Sequence, residues 1–578
     1  MKRWLKYVKP YLPFFILGPL CMIVEVIGEV LMPKFLSMIV NEGVNNGDPV
    51  YIAGVCGLMI LTAVLMMAGG VGGAYFGAKA SVNFATDVRR DSFKKIQKFS
   101  FANIDKFSAG SLVTRLTNDV TQIQNFVNML LRMFLRAPGM LIGALIMAIA
   151  LKPSLALVLA VSIPAIFVVL AFIIRMGFPR FAIMQTKIDA LNSTVQESLT
   201  NARVVKSFVR EDFEKKKFFK SNRDLKQSGI NAMIVMICTQ PFMTLIMNLT
   251  VAAVLWFGGA LVMNGKMPDG DLIAFITYIN QILHSLVMVT MLFTFSSRAI
   301  ASSKRIGEVL DEKIDITDEN ALCPEKTVDS GNVEFKNVSF RYYKNSKGKV
   351  LDNISFRINS GETVGIIGST GCGKTTLVSL ISRLYDADEG EVLVDGVNVR
   401  DYSLYNLREG VGMVLQKNVL FSGSIEDNLR WGNDEATFEE IRRACDNAQA
   451  DGFITSFTDG YQTQLGQGGA NVSGGQKQRL CIARALLKSP KILVLDDSTS
   501  AVDTATEARI REAFRNELAD STKIIIAQRI SSVRDADKII VLDDGVVTGI
   551  GTHDELMNSN TEYQEIYYSQ NEKEGGSK

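Results

Sequence analysis

Six apolar stretches in the first half of the chain constrain its fold more than any other feature. Each is close to the length of about 20 residues that an α-helix needs to cross a bilayer. They lie near residues 13–36, 51–76, 134–151, 155–175, 237–263 and 272–296. Because the backbone polar groups of a segment in lipid must be hydrogen-bonded within that segment, these stretches predict six membrane-spanning helices.

The distribution of lysine and arginine predicts how these helices are oriented. The loops after the second and fourth stretches are long and basic, whereas the loops after the first, third and fifth carry hardly any positive charge. Basic loops stay on the cytoplasmic side of a membrane. We therefore expect a multi-pass protein of the cell membrane, with the amino terminus, both long loops and everything after the sixth stretch in the cytoplasm.

Composition excludes several other classes of protein. A formal net charge of +2 gives no reason to expect a nucleic acid as partner. The seven cysteines form no CxxC pair, which argues against a disulfide framework and against a zinc site. Only two histidines are present, so chemistry that depends on histidine has few candidate residues.

The second half of the chain has the pattern of a soluble α/β domain. Short strands such as TVGIIG and KILVLD alternate with amphipathic helices, which predicts a mostly parallel, covered sheet. The predicted fold is thus an all-α transmembrane domain of six helices followed by an α/β domain. Its predicted parts are a transmembrane domain over 1–312, a linker over 313–330, a nucleotide-binding domain over 331–570 and a tail over 571–578.

The clearest chemical signal is the segment from Gly368 to Thr375, GSTGCGKT, which fits the pattern G-x-x-x-x-G-K-[ST] between a strand and a helix. This pattern predicts a loop that binds the phosphates of ATP. Lys374 is expected to reach the β- and γ-phosphates, and Thr375 to bind Mg²⁺. The predicted phosphate-binding residues are Ser369, Thr370, Gly371, Cys372, Gly373, Lys374, Thr375 and Thr376. Asp496, at the end of the apolar run ILVLD, is the second predicted ligand of Mg²⁺.

A third motif, VSGGQKQRL from Val472 to Leu480, resembles the signature loop of ABC transporters. In that family the loop opens a helix and contacts the γ-phosphate that the opposite subunit holds. The resemblance implies that Ser473, Gly474, Gly475 and Gln476 bind nucleotide. It also implies that the working unit is a dimer, because each site needs residues of two chains.

Other positions extend the resemblance over nearly the whole chain. Tyr342 matches the aromatic residue that stacks on adenine, and Gln416 matches the glutamine that contacts Mg²⁺ and water. The segment from Ser500 to Asp503 resembles the loop that crosses the dimer interface. Residues 110–120 and 201–211 resemble the two cytoplasmic loops of exporters, the second of which docks on the partner's ATPase domain. The chain is thus identified as similar to exporter half-transporters.

Three positions depart from the family's pattern. Asp497 stands where the family usually has a glutamate that polarises the attacking water, and it is shorter by one methylene group. Gln528 stands where the family usually has a histidine, and Gln467 where it usually has an acid. The chain therefore resembles the degenerate subunit of bacterial heterodimeric exporters, which bind ATP but hydrolyse it poorly. The alternative is a homodimer that works with Asp497.

Polar residues in the apolar stretches are candidates for cargo binding. Glu25 and Glu29 lie four residues apart on one face of the first stretch, where they predict either contact with a cationic or amphipathic cargo or pairing with a basic residue of another helix. His284, in the sixth stretch, has the same two interpretations. The favoured function is export of hydrophobic or amphipathic compounds by alternating access. A lipid or peptide exporter and an ATP-gated regulatory or channel-like protein remain alternatives.

Overall fold

The computed structural model describes residues 2–342, 348–497 and 502–575. It divides into two compact units. One consists of Met1–Ile96 with Gly110–Asp311, and the other of Gln97–Ala109 with Glu312–Lys578. The second unit thus contains a short piece of the first cytoplasmic loop in addition to the C-terminal half of the chain.

The first half of the chain is entirely helical. Its α-helices are α1 Lys2–Val8, α2 Leu12–Met38, α3 Pro49–Ile96, α4 Phe101–Phe107, α5 Ala109–Thr114, α6 Val120–Met133, α7 Arg136–Leu151, α8 Pro153–Thr200, α9 Ala202–Ser207, α10 Glu211–Met263 and α11 Asp269–Asp311. All except α4 belong to the first unit, apart from the first residue of α5. Short π-helical segments, Ile39–Val44 and Arg115–Asp119, interrupt the regular α-helices.

Six helical segments among the described residues are long and apolar enough to cross a membrane. They are Arg3–Val44, Pro49–Ile96, Ala109–Leu151, Pro153–Thr200, Glu211–Met263 and Asp269–Met288. The prediction of six spans is confirmed. Several segments are about twice the length that the hydrocarbon core requires, so they continue beyond it.

Close helix packing in the first unit depends on small residues. A Cβ atom at Gly69 of α3 would lie 2.7 Å from the carbonyl oxygen of Cys21 in α2. Glycine at this position lets the two backbones approach, as is common between helices in lipid. Elsewhere the hydroxyl of the buried Tyr278 donates to the carbonyl of Val30 over 2.9 Å, which ties α11 to α2.

The second unit has an α/β fold. Its strands are β1 Val333–Phe340, β2 Leu351–Ile358, β3 Thr363–Gly368, β4 Glu389–Val394, β5 Val397–Asn398, β6 Val411–Val414, β7 Gly423–Ser424, β8 Gln464–Leu465, β9 Ile492–Asp496, β10 Thr522–Ile526, β11 Lys538–Asp543 and β12 Val546–Gly551. Its helices after α4 are α12 Lys374–Ile381, α13 Leu404–Gly410, α14 Ile425–Arg430, α15 Phe438–Asn447, α16 Asp451–Ser456, α17 Gly474–Lys488, α18 Thr504–Glu517, α19 His553–Ser559 and α20 Thr561–Gly575.

The main sheet of this unit has the order β12-β11-β3-β10-β9-β6. All neighbouring strands are parallel except β12, which is antiparallel to β11. Every residue of β9 is buried because helices cover both faces of a parallel sheet. The predicted α/β fold with a mostly parallel sheet is confirmed. The ends of β3, β9 and β10 lie side by side at its carboxyl edge, which is where ligands bind in such sheets.

An antiparallel sheet with the order β2-β1-β4-β5 packs beside the main sheet. Phe335 of β1, Leu377 of α12 and Ile524 of β10 belong to one continuous buried cluster that joins the two sheets. A second cluster gathers α14, α15, α17 and α18 around the other side of β9. Strand β9, which ends at Asp496, is therefore packed on both of its faces.

Helix α4 packs within the second unit although it lies in the first cytoplasmic loop. Ser100 and Asn103 form a capping box at its start. The hydroxyl of Tyr385 donates to the Asp105 carboxylate over 3.1 Å, and the rings of Phe101 and Tyr385 are 6.0 Å apart. These contacts hold α4 within the α/β unit.

Candidate nucleotide-binding site

The backbone of the loop between β3 and α12 has a conformation that requires glycine at two positions. A Cβ atom at Gly368 would lie 1.9 Å from the carbonyl oxygen of Leu542. Gly373 has a φ of 101°, which a side chain rarely permits, and it directly precedes α12. The loop, which contains Ser369, Thr370, Gly371 and Cys372, thus ends at the N-terminus of a helix at the carboxyl edge of the sheet. This is the arrangement that binds phosphate groups.

Lys374 and Thr375 begin the helix that follows this loop. The ammonium group of Lys374 donates to the carbonyls of Gly368 and Ser369 over 2.9 and 2.8 Å, so it is held over the loop. The hydroxyl of Thr375 donates to the Asp496 carboxylate over 2.8 Å. The two predicted ligands of Mg²⁺ therefore lie together although they are 121 residues apart in the chain.

The hydroxyl and the carboxylate fit a magnesium ion that is bound together with a nucleotide. Burial raises the pKa of Asp496; the hydrogen bond from Thr375 opposes this shift and the neighbouring Asp497 adds to it. A cation beside Asp496 would favour the ionised carboxylate again. Among the described residues, no group of three His, Cys, Asp or Glu forms a metal cage. Nucleotide-bound Mg²⁺ does not need one, because phosphates and water supply most of its ligands.

The two residues that depart from the family pattern contact each other. The amide of Gln528 donates to the carboxylate of Asp497 over 2.9 Å. The backbone of Asp497 is also held, because its N–H donates to Ile526 and its carbonyl accepts from the Gln478 side chain over 3.0 and 3.3 Å. Asp497 has a φ of 48°, an unusual conformation for a residue with a side chain.

Tyr342 lies close to the first turn of α12, and Gln416 follows a strand that pairs with β9. The hydroxyl of Tyr342 shares a hydrogen bond of 2.8 Å with the hydroxyl of Thr376, and its ring meets Tyr385 edge to face at 5.2 Å. The exposed Gln416 follows β6 by two residues, and the register of β6 on β9 brings this loop next to Asp496. Both residues therefore border the phosphate-binding loop and its metal ligands.

The signature segment begins a different helix of the same unit. Ser473 caps α17, where its hydroxyl accepts from the Gln476 N–H over 3.3 Å and its N–H donates to the Gln476 side chain over 2.9 Å. A Cβ atom at Gly474 would meet no atom within 4 Å. Gly475 follows on the first turn of the helix. The segment thus presents an exposed helix N-terminus, which favours an anion.

Asp503 begins helix α18. Its carboxylate accepts from the N–H of Thr506 over 3.0 Å, and this hydrogen bond holds the pKa of Asp503 below its usual range. A role at a dimer interface, as implied by the family resemblance, stays a prediction. Ser500 and Ala501, from the same motif, lie outside the described residues.

The acidic residues of the first span are paired with a basic residue of α7. Arg136 lies 3.0 Å from Glu25 and 3.3 Å from Glu29. The side chain of Gln281, from α11, donates to the backbone carbonyl of Glu29 over 2.9 Å. This corresponds to the second interpretation given for the two glutamates, although a contact with cargo stays a prediction. His284 lies on α11 with an exposed side chain.

Sequence reasoning missed several residues that complete these arrangements. Arg136 lies inside the third apolar stretch, and a basic residue at membrane depth is a signal that it has a partner. Gln478 lies five residues beyond Ser473 and is buried, but nothing in its local sequence indicates the contact with Asp497. No sequence pattern indicated the contacts of Tyr385 either, because its partners are distant in the chain.

Comparisons with known proteins agree with this site. Residues 15–286 match the family described as ABC transporter transmembrane region, and residues 351–500 match the family described as ABC transporter. An uncharacterized ABC transporter ATP-binding protein of Bacillus subtilis, YfiB, is 39% identical over 100% of this chain and 99% of its own length. The putative multidrug export ATP-binding/permease protein YgaD, from the same organism, is 34% identical over 99% of both chains.

A solved structure extends the likeness to three dimensions. It is a bacterial Atm1-family ABC exporter with ATP bound, and it superimposes with a TM-score of 0.78 at 26% sequence identity. The match covers 96% of this chain and 98% of the other. Both the helical domain and the α/β domain are therefore shared in the same order.

Proposed function

The chain belongs to the ABC transporter family as an exporter half-transporter with one transmembrane and one ATP-binding domain, and we propose that it exports hydrophobic or amphipathic compounds by alternating access. The observation that carries this proposal is the joining of the phosphate loop, Thr375 and Asp496 in one domain of a chain with six spans. The name of the relative YgaD, which includes multidrug export, supports this class of cargo. We place the protein in the cell membrane, with the ATP-binding domain in the cytoplasm.

Each part of the site has a task in binding ATP. The ring of Tyr342 stacks on adenine, the N–H groups of the loop bind phosphate oxygens, and Lys374 turns from the loop carbonyls to the β- and γ-phosphates. Thr375, Asp496 and Gln416 hold Mg²⁺, which neutralises charge on the phosphates.

We also propose that the site on this chain hydrolyses ATP slowly. A water that attacks the γ-phosphate must be oriented and polarised. Asp497 reaches less far than a glutamate, and its carboxylate already accepts from Gln528. Gln528 donates through a neutral amide and cannot carry the positive charge of a protonated histidine. The signature loop of this chain, by contrast, has its exposed helix N-terminus and completes a competent site on a different partner chain.

Affinity purification of the tagged chain from its native membrane tests the heterodimer. A second half-transporter, with glutamate and histidine at the positions of Asp497 and Gln528, is expected to co-purify. Turnover of this complex should fall less than about threefold in Asp497→Ala. It should fall by about a hundredfold when the partner's glutamate is changed, since that carboxylate orients the attacking water. Recovery of a self-dimer whose ATPase activity disappears in Asp497→Ala would instead establish the homodimer.

The charge around Arg136 favours cationic cargo among amphipathic compounds. Two carboxylates, Glu25 and Glu29, face one guanidinium, so the group has an excess negative charge. Such a charge at membrane depth attracts a cation. The double variant Glu25→Gln and Glu29→Gln should reduce transport of a lipophilic cation into inverted vesicles by about tenfold while sparing a neutral analogue. An equal loss for both compounds would mean that the glutamates stabilise the helix packing and do not select the cation.

A further inference from the structure

The last helix of the chain contacts the loop that carries Gln528. The side chain of Gln570, from α20, accepts from the N–H of Ile530 over 3.0 Å. The same amide donates to the backbone carbonyl of Gln528 over 2.8 Å. One side chain thus uses both its acceptor and its donor to bridge two positions of the loop after β10.

Helix α20 is itself firmly held. Tyr563, in its first turn, is fully buried, and its hydroxyl shares a hydrogen bond of 2.8 Å with Nδ1 of His553. Its N–H donates to the side chain of Asn560 over 2.7 Å. Tyr567 packs against the buried cluster that contains Ile530. Gln570 therefore projects from a helix that is packed against the buried cluster containing Ile530.

The bridge is connected to the catalytic carboxylate. On the sheet side, the N–H of Ala527 donates to Ile366 over 3.2 Å. On the outer side, Gln570 holds the backbone of Gln528, and the side chain of Gln528 extends to Asp497. The loop is thus held from both sides at the residue that faces the nucleotide site.

We propose that Gln570 is a positioning residue, through which the C-terminal helix sets the side chain of Gln528 at the γ-phosphate side of the site. The proposal rests on the proposed role of Gln528 in nucleotide binding. It adds α20 to the nucleotide site, and it assigns the helix a part in distinguishing ATP from ADP. Loss of the bridge lets the loop move, so the γ-phosphate loses a preorganised donor while the other phosphates keep theirs.

The decisive experiment measures how tightly this chain binds ATP and ADP within the full-length assembled transporter. Photoaffinity labelling of this chain reports the binding of each nucleotide. In Gln570→Ala, ATP affinity should fall by about threefold to tenfold while ADP affinity stays unchanged. Ser569→Ala is the matched control, since Ser569 is exposed on the same helix. A general structural weakening would lower the affinity for both nucleotides, and this outcome would overturn the proposal.

A second variant supplies a pH-dependent readout. In Gln570→Glu the ionised carboxylate still accepts from Ile530, but it repels the carbonyl of Gln528. The protonated carboxyl both accepts and donates, as glutamine does. Since the ordinary pKa of a glutamate is about 4.3, the preference of this variant for ATP should recover toward wild type between about pH 7 and about pH 4, whereas Gln570→Ala should show no such recovery. Identical pH profiles for the two variants would contradict the bridge.

Hydrogen exchange in the nucleotide-free transporter tests the contact without any assumption about nucleotide. The amide of Ile530 should exchange about tenfold faster in Gln570→Ala than in Ser569→Ala, because its acceptor is lost. Unchanged exchange overturns the proposal regardless of what the site does. Faster exchange with an unchanged ATP preference also overturns it. If Gln528→Ala leaves the ATP preference intact, the role of Gln528 itself fails, which is a separate result.

Discussion

Among single residues, the pair Asp497 and Gln528 has the greatest consequence for chemistry. An amide can hold a carboxylate in place, but it neither takes up a proton nor carries charge near neutral pH. The two side chains contact each other over 2.9 Å, and under our proposal the shorter carboxylate and the uncharged amide together slow hydrolysis. Under the same proposal ATP still binds, because Lys374 and Thr375 belong to a different loop from this pair.

Restoring both family residues should restore turnover. In the double variant Asp497→Glu and Gln528→His, we expect ATPase activity of the assembled transporter to rise at least about twofold, since a second site begins to contribute. The carboxylate gains about one bond length of reach, and a misplacement of this size can change a rate by about a hundredfold. Steady-state phosphate release measures the effect.

The control for this prediction is the same double variant with Lys374→Ala, which disables nucleotide binding at this chain. The added activity should disappear there. If the restored site adds no activity while ATP still binds, another group limits hydrolysis.

Asp395, in the turn between β4 and β5, provides a second prediction at this scale. Burial alone would raise its pKa, but hydrogen bonds from Ser330, Asn332 and Asp329 outweigh burial and hold the pKa below its usual range. A depressed pKa stabilises the fold above the unfolded value of about 3.9, and this stability is lost as pH falls through the folded value. Asp395→Ala should thus cost about 1 to 3 kcal/mol at neutral pH.

The measurement for Asp395 is thermal unfolding in detergent at neutral pH and at about pH 3. The difference between wild type and Asp395→Ala should shrink in acid, because the stability that the ionised carboxylate supplies is lost progressively as pH falls below the unfolded pKa and through the lower folded one. Glu391→Ala, at an exposed position of β4, is the matched control. A difference that is the same at both pH values would show that charge on Asp395 is not involved.

At the scale of elements, helix α4 is connected to Tyr342 through a single aromatic ring within the second unit. Its Asp105 accepts from the hydroxyl of Tyr385, and the ring of Tyr385 meets the ring of Tyr342. If nucleotide binding shifts Tyr342, as we propose, we expect the ring of Tyr385 to transmit that shift to α4. Packed contacts of this kind are what carry coupling between sites.

The variant Tyr385→Phe tests this connection. It keeps the ring contacts but removes the donor to Asp105, so ATP affinity should stay within about twofold while stimulation of ATPase by cargo falls by about threefold or more. Tyr405→Phe, at an exposed tyrosine of α13, is the control. Loss of ATP affinity in Tyr385→Phe would indicate that the hydroxyl supports the adenine site and not the coupling.

Elements with local signals could be predicted from the sequence, and contacts between distant residues could not. The six spans follow from the length of apolar runs, and the strand, loop and helix around Lys374 follow from a spaced motif. The attachment of α4 to the second unit, the pairing of Arg136 and the bridge by Gln570 depend on side chains brought together only by folding. Their sequence neighbourhoods are ordinary for a solvated helix or a membrane span, so no local pattern indicates them.

For the whole molecule, the order of domains and the exposed signature helix imply that a second chain completes each nucleotide site. We expect Ser473→Ala in this chain to reduce turnover of the assembled transporter by about tenfold or more, because the partner's competent site loses a donor to its γ-phosphate. Binding of ATP to this chain's own phosphate loop should be unchanged. Vanadate trapping on the partner chain, compared with labelling of this chain, separates the two effects.

Ser489→Ala, at the other end of α17, is the control for this prediction. If Ser473→Ala weakened nucleotide binding on the chain that carries it, the assignment of the signature loop to the partner's site would be wrong.

The hydrogen bond from Gln478 to the carbonyl of Asp497 has a consequence for the timing of the whole cycle. In the proposed dimer, Gln478 belongs to the helix whose N-terminus serves one composite site, whereas Asp497 belongs to the other. If ATP at one site shifts this helix, the same coupling free energy changes the affinity of the second site for ATP, because coupling between two sites is reciprocal. If hydrolysis at this chain's site is slow, as we propose, ATP that stays bound there would favour the closed state of the neighbouring site through several rounds of hydrolysis.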